Sequence, residues 1–146
     1  QQNQAAIAAY DRAIVSDVTL VPAASIAAVW TNRSAVLLDL GQYQEAIASA
    51  NSAIAIDPNS VSAWFNRGLA LASMKEYEQA VNSYQRALHI EPKQVNILVA
   101  QGMVFFHLKR YPEALNAFEE ALKIDPNYLP AKQNRDLLNS VEQKLL

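Results

Sequence analysis

Residues 61–94 read VSAWFNRGLALASMKEYEQAVNSYQRALHIEPKQ, and the same pattern occurs three times in the chain at a spacing of thirty-four positions. Tyr77 in this stretch has counterparts at Tyr43 and Tyr111. Three more positions repeat at the same interval, namely Ala46, Ala80 and Ala114, then Ala53, Ala87 and Ala121, then Pro58, Pro92 and Pro126. A fixed period of this size predicts a solenoid, because each repeat can bury its apolar face only against its neighbours.

Each copy of the pattern reads as two helices joined by a tight turn. In the second copy, the apolar spacing predicts a first helix over Ser62–Met74, a turn at Lys75 and Glu76, and a second helix over Tyr77–Ile90. Small residues at one height of the first helix predict a close crossing with alanines of the second. The small residues are Ser34, Gly68 and Gly102, and the alanines are Ala46, Ala80 and Ala114. The sequence therefore predicts an all-α solenoid of antiparallel helix pairs.

Both ends of the chain extend the array beyond the three copies at 27–60, 61–94 and 95–128. Residues 1–26 read as the second helix of an incomplete repeat followed by an irregular linker, so the chain is expected to begin inside a longer array. Six extra residues lie around Val18–Ser25, which predicts either a loop or a longer first helix beginning near Pro22. Residues 129–146 read as a C-terminal capping helix with one polar face exposed to solvent. We therefore predict a single array over 1–146.

Composition excludes several classes of protein. The net charge is −2, with lysine and arginine scattered among the acids, so no basic stripe favours nucleic-acid binding. The longest apolar runs fall far short of the roughly 18–20 residues that cross a bilayer, and no membrane insertion is expected. Cysteine is absent, which excludes disulfides and thiolate metal sites. A cytoplasmic location is favoured, although the sequence leaves the compartment open.

The sequence offers no catalytic constellation. His89 and His107 lie in no metal-ligand pattern, and neither a glycine-rich phosphate loop nor a nucleophile motif occurs. The adjacent pair Glu119 and Glu120 would point in different directions on a helix, which is typical of a solvated face. We therefore expect no enzyme activity, no cofactor and no metal.

The repeated residues resemble those of the tetratricopeptide repeat family. The second copy matches best, with Trp64, Gly68, Tyr77, Ala80, Tyr84, Ala87 and Pro92. The chain departs from the family pattern where Arg33 and Arg67 replace leucine, Ala50 replaces an aromatic residue, and Leu98 replaces tryptophan. The resemblance implies a right-handed superhelix whose first helices line a concave groove, where family members usually bind peptides.

Carried over by position, the resemblance implies a largely apolar groove with asparagines along it. Its predicted lining is Thr31, Asn32, Asp39, Phe65, Asn66, Leu69, Asn96, Val99, Met103, Phe106 and His107. Two alternatives stay open for part of this set. Leu69, Val99 and Met103 could instead pack between neighbouring first helices, and the asparagines could form hydrogen bonds inside the repeat.

Some members of this family grip an acidic C-terminal tail with a clamp of lysine, arginine and asparagine. The positions that would form the clamp hold Thr31, Ala35, Asn66, Asn96 and Ala100. Only the asparagine at 66 fits, and without cations the electrostatic grip on a carboxylate is lost. The sequence therefore argues against binding of acidic tails.

A second ladder, of arginines, occupies equivalent positions at Arg33, Arg67 and Arg135. In one interpretation, the arginine stems cover apolar surface and the guanidiniums pair with nearby acids. In the other, the guanidiniums face an acidic partner.

Three classes of function fit the sequence. The leading hypothesis is a protein–protein interaction scaffold or adaptor that receives a peptide or helix of a partner protein in the groove. The alternatives are a non-catalytic region of a larger enzyme or assembly factor, and a module that self-associates. A homo-oligomer could form through the incomplete N-terminal repeat if Ile7, Tyr10 and Ile14 are left partly uncovered.

Overall fold

The computed structural model describes residues 2–15 and 22–145 and contains eight helices, with no strand among these residues. The helices run antiparallel in chain order and the fold is an all-α solenoid, as the period predicts. Their bounds are α1 Gln2–Val15, α2 Ala23–Asp39, α3 Tyr43–Ile56, α4 Val61–Ser73, α5 Tyr77–Ile90, α6 Val95–His107, α7 Tyr111–Ile124 and α8 Leu129–Leu145.

Contacts between helices show which face of the solenoid is the inner one. The strongest contacts join α2 to α3, α4 to α5 and α6 to α7, which are the first, second and third helix pairs. The first helices of successive pairs also contact one another, from α2 to α4, α4 to α6 and α6 to α8. The second helices α3, α5 and α7 have no comparable contacts with each other. The array therefore curves with the first helices on the inner face and the second helices outside.

Each first helix ends in a turn that needs a left-handed residue. This residue is Gly41 in the first pair, Lys75 in the second and Lys109 in the third, with φ values of 71°, 63° and 59°. In the second pair, the Glu76 N–H donates to the Leu71 carbonyl at 2.9 Å. This carbonyl lies in the last turn of α4, where carbonyls have no partner within the helix. Because the left-handed conformation costs an L-residue about 1 kcal/mol, only glycine adopts it freely.

We therefore expect Lys75→Gly to raise the free energy of unfolding by about 0.5–1 kcal/mol, because it removes this conformational cost. Urea denaturation would measure the change. Gly41→Lys, the reverse substitution at the equivalent turn, is the matched control and is expected to destabilise by a similar amount. A destabilised Lys75→Gly protein would show that the lysine side chain stabilises the turn.

In the second and third helix pairs, a glycine on the first helix faces a large aromatic residue on the second. A β-carbon on Gly68 would lie 2.3 Å from Cε1 of Tyr84, and one on Gly102 would lie 2.5 Å from Cε1 of Phe118. Each glycine thus makes room for a buried aromatic ring, rather than only for the alanines that the sequence placed opposite. The first pair holds Ser34 at this place instead of glycine, and Ala50 instead of the ring. The Ser34 hydroxyl is buried and donates to the Ala46 carbonyl at 2.9 Å.

At the N-terminal end, α2 begins at Ala23, immediately after Pro22, and is longer than α4 and α6. Of the two predicted alternatives, the structure has the longer helix; the part of the predicted insertion from Val18 to Val21 lies outside the described residues. Helix α1 packs on α2, and Asp11 pairs with Arg33 at 2.8 Å. No described helix is long and apolar enough to cross a membrane.

Candidate functional site

The inner face carries a cavity between α4 and α6. Its volume is about 260 Å³ and its floor contains the ring of Tyr84. Burial raises the pKa of the Tyr84 phenol, because an ionised phenolate would be poorly solvated there. The cavity is lined by Leu69, Ala72, Ser73, Tyr77, Tyr84, Ala100, Met103, Val104 and His107.

A second cavity of about 160 Å³ continues this surface between α6 and α8. It is lined by Met103, Phe106, His107, Phe118, Asn134 and Leu137. Met103 and His107 belong to both cavities, so the two form one continuous surface, which we call the inner groove. Met103 is 44 % exposed and Leu137 is 52 % exposed, so two large apolar side chains face solvent there.

An aromatic stack forms one wall of the inner groove. The His107 imidazole lies parallel to the Tyr77 ring, with centroids 5.0 Å apart and planes inclined by 2°. The Phe106 ring meets the imidazole edge-on at 6.2 Å and lies 5.7 Å from Tyr111. Aromatic pairs in such arrangements attract one another beyond their burial of area, so these contacts favour this arrangement of the wall.

Of the predicted lining residues, Val99 belongs to the core and Phe65 packs against it. Val99 is 6 % exposed. The Phe65 ring packs on Tyr84 at 5.9 Å, is half-buried and lines neither cavity of the inner groove. Leu69, Met103, Phe106 and His107 are therefore the members of the predicted set that the structure brings together.

The predicted asparagine ladder is divided between two roles. Asn66 is only 9 % exposed, and its side-chain amide donates to the Thr31 carbonyl at 3.2 Å, which ties α4 to α2. This hydrogen bond joins two neighbouring repeats, whereas the alternative interpretation placed the hydrogen bonds of the asparagines inside one repeat. Asn32 and Asn96 are exposed, as is Asp39 at the end of α2. Thr31 and Asn32 line a separate cavity of about 270 Å³ between the N-terminal half of α2 and the segment that leads from α3 into α4.

Asn134 and Leu137 were missing from the predicted site, although the period points to both. Leu137 lies thirty-four positions after Met103, which in turn follows Leu69 at the same interval. Asn134 extends the series of Asn32 and Asn66. Adding one period to Met103 and two periods to Asn66 would have carried the prediction into α8 and included both.

The inner groove contains no lysine or arginine among its lining residues. The arginine ladder lies elsewhere, because Arg67 is two residues from Leu69 and thus on the opposite side of α4. Nη1 of Arg67 donates to the Ser83 hydroxyl at 2.8 Å, and Nη1 of Arg33 donates to the Ser49 hydroxyl at 2.7 Å. These guanidiniums therefore stabilise the helix pairs rather than face the inner groove. Among the described residues, no cluster of three or more acidic, histidine or cysteine side chains could hold a metal ion.

Comparison with protein families decides the classification. Models of the tetratricopeptide repeat match residues 61–94 and 95–128, and a TPR-repeat model matches residues 36–75. Together these matches span residues 36–128, well over half of the chain. The chain belongs to the tetratricopeptide repeat family. No curated protein matches its sequence.

Solved structures of tetratricopeptide repeat proteins share this fold at low sequence identity. The crystal structure of MamA is 21 % identical with a TM-score of 0.84, and the match covers 94 % of this chain and 77 % of that one. The TPR domain of Arabidopsis OM64 is 23 % identical with a TM-score of 0.79, covering 82 % and 98 %. The first TPR of Spaghetti (RPAP3), bound to the HSP90 peptide SRMEEVD, is 21 % identical with a TM-score of 0.77, covering 80 % and 93 %. At these identities the likeness shows the fold.

Proposed function

We propose that this tetratricopeptide repeat chain is a protein-interaction module that binds an apolar peptide or helix of a partner protein in the inner groove. The observation that carries the proposal is the pair of adjoining cavities on the inner face, which share Met103 and His107. Together they form an extended surface that can receive several side chains of one segment.

The chemistry of the lining favours apolar side chains. The cavity between α6 and α8 is lined by Met103, Phe106, Phe118 and Leu137, with Asn134 and His107 at its edge. Burying apolar surface contributes about 25 cal/mol per Å², so covering exposed Met103 and Leu137 would stabilise a complex. Methionine also adapts its shape to different partners. The segment recognised would therefore present aliphatic or aromatic side chains to α6 and α8.

Charge argues against the kind of ligand seen in one structural neighbour. The RPAP3 domain is bound to SRMEEVD, a peptide with three acidic side chains. In the present chain, no cation lines the inner groove, and the Asn66 amide is engaged with the Thr31 carbonyl. An acidic tail would lose its solvation there without gaining charge-assisted hydrogen bonds.

Selection from a library of random phage-displayed peptides would test the proposal. We expect the selected peptides to be rich in aliphatic and aromatic residues, and to bind at least about tenfold more tightly than SRMEEVD. Fluorescence anisotropy with labelled peptides would measure both affinities. Selection of acidic peptides, or an affinity for SRMEEVD equal to that for the selected peptides, would contradict the assignment of the groove.

A further inference from the structure

A further cavity lies outside the inner groove, on the outer face. It has a volume of about 620 Å³ and lies between α5 and α7, above α6. We call it the outer groove. Leu98, Gln101 and Phe105 of α6 form its floor, whereas Met103 and His107 point to the opposite side of that helix. The outer groove is therefore separate from the surface of the proposed function.

The second helix pair shows what occupies the corresponding space in a regular repeat. There, the Trp64 indole lies between two arginines, with the guanidinium carbons of Arg67 and Arg86 at 5.7 and 5.8 Å from the ring centroid. The indole N–H donates to the Pro58 carbonyl at 2.9 Å. Cations held over an indole face are attracted by its negative electrostatic potential. One aromatic ring and two positive charges therefore cover this part of the second pair.

The third helix pair has lost all three of these side chains. The positions of Trp64, Arg67 and Arg86 hold Leu98, Gln101 and Glu120, and Ala117 replaces Ser83, which bonds Arg67 in the second pair. An indole becomes a smaller aliphatic chain, and two guanidiniums become an amide and a carboxylate. The groove lies where these side chains would be, and its lining includes the apolar residues Leu98, Phe105 and Ala117.

The charge around the outer groove is also reversed. Glu113 and Glu120 belong to its lining, which contains no lysine or arginine; its other polar side chains are those of Gln85, His89, Gln101 and Asn116. Both carboxylates pair with basic residues beside the groove, Glu113 with Arg110 and Glu120 with Lys123. The Arg110 guanidinium also pairs with Glu78 and covers one face of the Phe105 ring, 4.6 Å from its centroid. The exposed pair of Glu120 with Lys123 contributes little to stability, so Glu120 can exchange its cation for one from a ligand.

We propose that the outer groove binds a partner peptide in which a tryptophan stands next to an arginine. The indole packs on Leu98 and Phe105, in the space that Trp64 fills in the second pair. The guanidinium pairs with Glu120, whose counterpart Arg86 stacks on that tryptophan. The Gln101 and Asn116 side-chain amides offer hydrogen bonds to the peptide backbone. The partner thus supplies from outside an indole and a guanidinium in the places that Trp64 and Arg86 occupy in the second pair.

Nuclear magnetic resonance with short synthetic peptides tests this proposal on the whole chain. The probe is the capped peptide Gly-Ser-Trp-Arg-Ser-Gly, and the controls replace its arginine by glutamate or its tryptophan by alanine. We expect the probe to shift the side-chain amide signals of Gln101 and Asn116, and to leave the Met103 methyl signal unchanged. Each control peptide is expected to bind at least about threefold more weakly. Equal shifts with all three peptides, or no shift at Gln101 and Asn116, would overturn the proposal.

Two variants identify the site. Leu98→Trp fills the groove with the residue of the second pair and should abolish the shifts. Glu120→Arg restores the residue found at the equivalent position of the second pair, at a side chain that is 45 % exposed, so we expect the protein to fold. It should reverse the preference between the arginine and glutamate peptides. An unchanged preference in Glu120→Arg would overturn the charge assignment even if Leu98→Trp fails to fold. Shifts of the same amides on raising the protein concentration without peptide would overturn the proposal in favour of a second copy of the chain as the occupant.

Discussion

Replacing Tyr84 by alanine is expected to lower the free energy of unfolding by about 3–5 kcal/mol. The Tyr84 ring is 1 % exposed, lies in the space left by Gly68 and contacts the Phe65 ring at 5.9 Å. Removing it leaves a cavity between α4 and α5, because neighbouring helices in a solenoid cannot close independently. Urea denaturation followed by circular dichroism would measure the loss. A loss below about 1 kcal/mol would show that the helix pair repacks without the ring.

The first helix pair supplies the matched control for this experiment. Ser34 and Ala50 occupy there the positions of Gly68 and Tyr84. Gly68→Ser alone should destabilise by about 1–3 kcal/mol, since its β-carbon would meet the ring. In the Tyr84→Ala background the same change should recover stability, because serine then occupies empty space. If the double variant lost as much unfolding free energy as the sum of the two single variants, the packing of Tyr84 into the space beside Gly68 would be contradicted.

Met103→Glu is expected to weaken binding of an apolar peptide about a hundredfold. Met103 lines both cavities of the inner groove, so a bound segment would bury the new carboxylate among Phe106, Phe118 and Leu137. Burying an unpaired charge costs about 3 kcal/mol or more, which corresponds to this factor. Fluorescence anisotropy with a peptide selected on the unmodified chain measures the change.

Met103→Leu is the matched control, because it keeps an apolar side chain of similar volume and should change the affinity less than about threefold. The free energy of unfolding of both variants should lie within about 0.5 kcal/mol of that of the unmodified chain, since this side chain is exposed. Unchanged affinity in the glutamate variant would place the peptide elsewhere on the molecule.

The helices of the fold could be predicted closely from the sequence, because the period, prolines and apolar spacing act locally. The predicted first helix Ser62–Met74 is α4 Val61–Ser73 in the structure, and the second helix has the predicted bounds Tyr77–Ile90. The role of Gly68 was predicted only in part. Spacing indicates that a small residue sits at a crossing, whereas the ring that occupies the freed space is set by the three-dimensional packing.

The candidate site was harder to predict, because the position of a residue on a helix does not fix what its side chain contacts. Asn66 and Asn32 share one register, yet Asn66 bonds the Thr31 carbonyl while Asn32 is exposed. The outer groove was not predicted at all. Leu98 was noted as a departure from the family pattern, but only the structure brings it together with Gln101 and Glu120 in one cavity.

The central claim, that partners bind in the inner groove, is tested most directly by the methionine methyl signals. The chain has two methionines, Met103 in the inner groove and Met74 at the C-terminal end of α4, which lines neither of its cavities. In protein labelled with ¹³C at these methyl groups, titration with a selected apolar peptide should shift the Met103 signal and leave the Met74 signal in place. A peptide that binds while the Met103 signal stays unchanged would contradict the claim.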